Sequence, residues 1–137
     1  MEIRKYTFEE HGDERGELVA IEENRDIPFT IRRVYYMYDT DTAFTRGKHA
    51  HRNLEQILLC IHGSCKVTLD DGKERVTVEM NKPNEGLYIS GCMWREMSDF
   101  SGDAVLMVLA SELYDEADYI RDYDEFLACV NEQKEGK

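Results

Sequence analysis

At 137 residues the chain is long enough for one domain with a buried core, and 42% hydrophobic with 34% charged residues excludes a disordered tract or a coiled coil. A formal net charge of -12 repels phosphodiester backbones, so nucleic-acid binding is not expected. No apolar run approaches the ~20 residues of a bilayer span, and the opening MEIRKYTFEE lacks a secretion signal's apolar stretch, which points to a cytoplasmic protein with no membrane role.

Up to about residue 111 the chain reads as short strands. The segments 18–21, 31–38, 56–61, 65–69, 75–80, 86–90 and 104–111 are rich in β-branched, aromatic and aliphatic residues and are separated by turn residues. In CKVTLDDGKERVTVEM, Cys65, Val67 and Leu69 and then Val76, Val78 and Met80 alternate on either side of Asp71-Gly72. Such a pair predicts a hairpin, because glycine accepts the positive φ that a tight turn demands. Strands at this spacing predict an all-β sandwich or barrel, one domain over 1–137. The four cysteines, Cys60, Cys65, Cys92 and Cys129, form neither a CxxC pair nor a disulfide ladder and are expected to be buried free thiols. The tail YDEADYIRDYDEFLACV changes period. Ala117, Ile120, Leu127 and Val130 recur at helical spacing, and Asp115, Glu116 and Asp118 cluster where a helix N-terminus favours negative charge. The expectation is a terminal helix over about 115–131, with Tyr119, Tyr123 and Phe126 as core packing.

Charge is unevenly spread. Between Thr30 and Leu54 five basic residues, Arg32, Arg33, Arg46, Lys48 and Arg52, face two acids, Asp39 and Asp41, a local patch suited to a small anionic ligand. Within it stands RGKHAHRNLEQ. Residues two apart on a strand point to one face, so His49 and His51 would look together into whatever the strand lines. The pattern of Gly47, HxH, Glu55 and Gly63 resembles the first signature of the cupins, in which HxH, a carboxylate and a later histidine hold a metal. Here, however, Gln56 stands where the spacing asks for the acid, and Trp94, Arg95 and Glu96 stand where the later histidine would be. The expectation is therefore no metal, and proton transfer instead. Neutral imidazoles are matched to it at physiological pH, and Arg33, Tyr35 and Arg46 could hold a phosphorylated or nucleotide-linked ligand with an isomerisable centre.

The runs RGELVAIEE, IPFTIRRVYYMYDT, RGKHAHRNLEQ, LDDG, GLYISGCMWREM and VLASELYDEADYIRDYDEF, in order from about Arg15 to Phe126, resemble the TDP-4-oxo-6-deoxyglucose 3,4-ketoisomerases, a metal-independent branch of the sugar cupins. The resemblance implies a cupin, jelly-roll-like β-barrel with a C-terminal helix, and a homodimer that exchanges N-terminal strands. It implies conversion of dTDP-4-dehydro-6-deoxy-D-glucose to its 3-keto isomer in deoxy-amino-sugar and polysaccharide biosynthesis, without cofactor or metal. Its catalytic histidines match His49 and His51, and its substrate-binding residues match Arg15, Arg33, Tyr35 and Arg46. The positions tied to the C4 configuration of the product match Arg15 and Arg95, and with arginine at both the configuration stays open. His51 is expected to act at carbon and His49 at oxygen. Two other readings are a dTDP-sugar 3,5-epimerase and a noncatalytic nucleotide-sugar-binding cupin.

Overall fold

The computed structural model describes residues 1–135. Their strands are β1 (Arg4–Thr7), β2 (Glu10–Asp13), β3 (Gly16–Val19), β4 (Arg33–Met37), β5 (Arg46–His51), β6 (Glu55–His62), β7 (Cys65–Asp70), β8 (Arg75–Met80), β9 (Glu85–Ser90), β10 (Trp94–Ser98), β11 (Val105–Ala110) and β12 (Tyr119–Ile120), followed by the helix α1 (Tyr123–Glu135). Two five-stranded antiparallel sheets, in the orders β1-β9-β6-β11-β4 and β12-β5-β10-β7-β8, face each other, and β2 and β3 pair only with each other. This is the expected jelly-roll-like barrel of the cupins with a C-terminal helix.

The core follows from alternation. Leu58 and Cys60 of β6, Val67 and Leu69 of β7, Leu87 and Ile89 of β9, and Leu106 and Val108 of β11 point between the sheets and are buried. The other face of the first sheet is also covered: Ile57 and Leu59 pack with Phe8, Ile27, Phe29 and Leu109. Coverage on both faces explains the unbroken apolar run ILLC in β6, which a half-solvated strand would not carry. A third cluster of Ala50, Trp94, Ile120, Phe126 and Cys129 seats α1 against the outside of the second sheet.

Two expectations need correction. First, the chain at 115–122 is not helical: Glu116–Asp118 is a single 3-10 turn capped by Asp115, and Tyr119–Ile120 pairs with β5. The helix starts at Tyr123, where the Asp122 carboxylate accepts the Glu125 N–H at 3.1 Å and Asp124 and Glu125 fill the first turn. Asp115, Glu116 and Asp118, predicted at the helix N-terminus, lie instead in the turn before it, where Asp118 ties the segment to β5. Second, only Cys60 and Cys65 are buried free thiols; Cys92 and Cys129 form a disulfide, with Cα atoms 6.2 Å apart, between the turn before β10 and the helix. The hairpin expected around Asp71-Gly72 is present, as β7 paired antiparallel with β8. The register ends at Asp70 opposite Arg75, so 71–74 form a four-residue loop in which Gly72 has φ +95° and the Asp71 carboxylate accepts the N–H groups of Lys73 and Glu74.

Candidate active site

A bulge in β5 arranges the site. Arg95 of β10 lies opposite His49 and Glu96 lies opposite Gly47, which leaves Lys48 unmatched. Gly47 at φ +89° and Lys48 at φ +50° make the kink, and a Cβ at Gly47 would come 3.2 Å from the Arg95 carbonyl oxygen, so glycine fits the approach. Cross-strand partners share a face. The extra residue therefore turns Arg46, opposite the inward Met97, onto the same side as His49 and His51.

The two imidazoles meet edge to face, ring centres 4.8 Å apart. Tyr119 of β12 lies against both, 5.2 Å from His49 and 4.4 Å from His51. His51 is wholly buried and its Nδ1 lies 3.1 Å from Asp118 Oδ2. The other Asp118 oxygen accepts the backbone N–H groups of Arg52 at 3.0 Å and Asn53 at 2.9 Å, so the carboxylate is fixed at three points. The remaining His51 nitrogen, Nε2, is buried without a hydrogen-bond partner among the described residues. Beneath the rings the Arg95 guanidinium, 1% exposed, donates to Gln56 Oε1 and, at 3.0 Å, to the Met93 carbonyl. Gln56 Nε2 in turn donates to the Tyr35 hydroxyl at 2.9 Å. Arg33 lies over the Tyr35 ring at 5.2 Å, and Arg121 lies over Tyr119 at 4.4 Å.

Electrostatics keep both imidazoles neutral. Burial, then the Arg95 charge, lowers His49 to about 4; burial, then Arg95 and His49, lowers His51 to about 2. The contact with Asp118 is thus a hydrogen bond from a neutral ring rather than an ion pair. Burial also pushes the Tyr35 hydroxyl up, against the pull of Arg95, so it stays protonated.

Two adjoining cavities open on this centre. One, of about 500 Å³, is lined by His51, Asp118, Arg33, Asn53 and Tyr114; the other, of about 400 Å³, by His49, Tyr35, Arg46, Met97 and Arg121. Tyr119 lines both. The two histidines share one face, as expected, yet each looks into its own side of Tyr119. Of the residues singled out in the sequence, His49, His51, Arg33, Tyr35, Arg46 and Arg95 come together. Arg15 does not: it lies in the turn between β2 and β3, with its side chain 86% exposed and paired with Asp13 at 2.6 Å. Among the described residues no group of three or more His, Cys, Asp or Glu is placed to hold a metal. A carboxamide and a guanidinium stand beside the imidazoles, and Glu55 turns to the other face to accept from the Tyr88 hydroxyl. Sequence reasoning missed Asp118, read as an acid of a helix N-terminus, Tyr119, read as core packing, and Arg121. It also missed Gln56 as a partner for Arg95, although its place beside the expected acid was a signal.

A cupin barrel whose mouth holds two neutral imidazoles, a buried cation and a rim of arginines defines a proton-transfer site for an anionic small molecule. The family model described as "WxcM-like, C-terminal" (FdtA) matches residues 1–131. The chain is 52% identical over 139 residues, 99% of this chain and 100% of the relative, to the TDP-4-oxo-6-deoxy-alpha-D-glucose-3,4-oxoisomerase of Aneurinibacillus thermoaerophilus. A 3,4-ketoisomerase from Helicobacter canadensis superposes with a TM-score of 0.92 at 50% identity, covering 96% of this chain and 98% of that one. A histidine-to-asparagine mutant of the 3,4-ketoisomerase QdtA from Thermoanaerobacterium thermosaccharolyticum, in complex with TDP-4-keto-6-deoxyglucose, superposes at 0.93 with 44% identity, over 96% and 95% of the two chains. The chain belongs to the FdtA family, that of the TDP-4-oxo-6-deoxyglucose 3,4-ketoisomerases.

Proposed function

We propose that the protein converts dTDP-4-dehydro-6-deoxy-D-glucose to the dTDP-3-dehydro-6-deoxyhexose by moving a proton from C3 to C4 and another from O3 to O4. The observation that carries the reading is the pair of neutral imidazoles on one face of β5, beside a buried guanidinium. The C4 carbonyl acidifies the C3 hydrogen. His49, the less buried and the less depressed of the two rings, removes it, since transfer at carbon needs the ring nitrogen in direct contact with the C–H. The electrons move into the C3–C4 bond and the charge goes to O4, where Arg95 offsets it. His51 Nε2 takes the proton of the O3 hydroxyl and delivers it to O4, leaving the charge on O3. His49 then returns its proton to C4, and the carbonyl forms at C3. This order reverses the expectation that His51 acts at carbon; the complete burial of His51 and the partial exposure of His49 favour it.

Arg33, Arg46 and Arg121 at the rim supply charge for the diphosphate, and the exposed faces of Tyr114 and Tyr119 supply a surface for the base. The 3-keto product suits amination, hence a place in deoxy-amino-sugar and polysaccharide biosynthesis, with the nucleotide sugar in the cytoplasm. Incubation with the substrate in heavy water, followed by NMR, tests the reaction. Deuterium should enter at C4 of the product and, through the reverse step, at C3 of the substrate, and not at C5. Exchange at C5 would favour a 3,5-epimerase, and a sugar that is neither converted nor exchanged would end the catalytic reading.

The same proposal includes a homodimer with exchanged N-terminal strands. The β2–β3 hairpin pairs with no other strand of its own chain, and an isolated hairpin has little stability in water. The strand β4 ends its sheet with an open edge and carries Val34 and Tyr36 outward, 54% and 61% exposed. A partner's hairpin laid along this edge would cover them and bring the partner's turn arginine, the counterpart of Arg15, toward Arg33 and Tyr35.

A further inference from the structure

We infer that Asp118 is a positioning residue that holds His51 in the tautomer with the proton on Nδ1, so that the Nε2 lone pair faces the substrate. The inference rests on the ketoisomerase reading for its catalytic consequence, but its structural part stands alone. An imidazole that carries a proton between two oxygens must present an unprotonated nitrogen to the first of them. His51 has two nitrogens, and their surroundings differ. Nδ1 faces Asp118 Oδ2 at 3.1 Å, and a carboxylate only accepts, so Nδ1 carries the hydrogen. Nε2 is buried with no hydrogen-bond partner among the described residues, and His51 lines the larger of the two cavities.

The carboxylate cannot swing away. Its Oδ1 accepts from two consecutive backbone amides, of Arg52 and Asn53, directly after the strand that ends in His51. The Asp118 carbonyl also accepts the Arg52 N–H, at 3.3 Å. His51 is opposite Tyr119 in the register of β5 with β12, so one short strand pairing sets both the orienting carboxylate and the ring against which His51 rests. That accounts for why Tyr119–Ile120 forms an edge strand where the acidic pattern suggests helix.

The informative variant is Asp118→Asn. Its carboxamide oxygen can still accept the Arg52 and Asn53 amides, while its NH₂ now donates toward Nδ1 and drives the His51 proton to Nε2. With ¹⁵N-histidine-labelled protein, the signal absent from His51→Asn identifies His51. We expect a pyridine-type Nε2 in the parent protein and a protonated Nε2 in Asp118→Asn. The variant should lose kcat on the order of a hundredfold or more, as for a misdirected general base, with KM and dTDP affinity within a few-fold of the parent. A protonated Nε2 in the parent protein overturns the inference, even if the variant fails to fold. So does a variant whose tautomer flips with kcat unchanged. If the parent protein neither converts the sugar nor exchanges its hydrogens, the ketoisomerase reading fails, and the parent tautomer still decides for or against the role of Asp118.

Discussion

Arg95 is the residue on which most of the site's chemistry turns. A guanidinium 1% exposed would be costly to bury, and burial itself lowers its own pKa to about 10, still charged at neutral pH. Gln56 and the Met93 carbonyl take its hydrogens, which makes the placement tolerable. After burial, its charge is the second cause that keeps the imidazoles neutral, and in the proposed reaction it would offset the charge of an enediolate. The pH profile follows from the sign of these shifts. Protonation removes the base, so kcat/KM should stay level as pH falls through 6.5 and decline only near 4, the value for His49. Arg95→Met removes the second-largest cause and leaves burial, the largest, so the acid limb should move upward part of the way toward 6.5. A pH series of kcat/KM on both proteins checks this; an unmoved limb would separate Arg95 from the histidines.

Among the elements, β5 and β12 are shaped by what they position. The bulge at Gly47 and Lys48 turns Arg46 inward, and β12, only two residues long, brings Asp118 and Tyr119 to the histidines. What keeps so short a strand in place is the helix behind it. Ile120 is fully buried with Ala50, Trp94 and Phe126, and the Cys92–Cys129 disulfide fastens α1 to the turn that leads into β10. The bond closes a loop of sequence separation 37, which the chain-entropy relation values at about 4 kcal/mol. Cys129→Ser, or reduction with dithiothreitol, should therefore lower the thermal midpoint by several degrees, as read by calorimetry. A midpoint insensitive to both would show that packing alone seats the helix.

At the scale of the whole molecule, a hairpin without an intramolecular neighbour and a sheet edge without a cover are complementary. If a second copy joins them, Leu18, 59% exposed on β3, becomes interface. Leu18→Glu should then convert a particle of twice the 16.0 kDa chain mass into a monomer by light scattering. It should also weaken substrate binding, because Arg15 would no longer reach the partner's site. A parent protein that scatters as a monomer would remove the dimer and leave Arg15 without a role in binding.

Much was legible in the sequence because it is set by neighbours along the chain. Alternation on 65–80 gave a hairpin, the apolar runs gave the central strands, and the HxH spacing gave two imidazoles on one face, since side-chain direction on a strand has a period of two. Strand β10 was not legible, because Arg95 breaks the alternation of WREMS by burying a charge whose partner, Gln56, is 39 residues away. The pairing of Cys92 with Cys129, the start of the helix at Tyr123 and the approach of Asp118 to His51 across 67 residues were likewise decided by tertiary contact. The helical period at 115–122 was real as a pattern, but hydrogen bonds from Arg52 and Asn53 to Asp118 offered that segment a better partner than its own backbone. Local periodicity fixes which way a side chain points; only the closed barrel determines what it meets there.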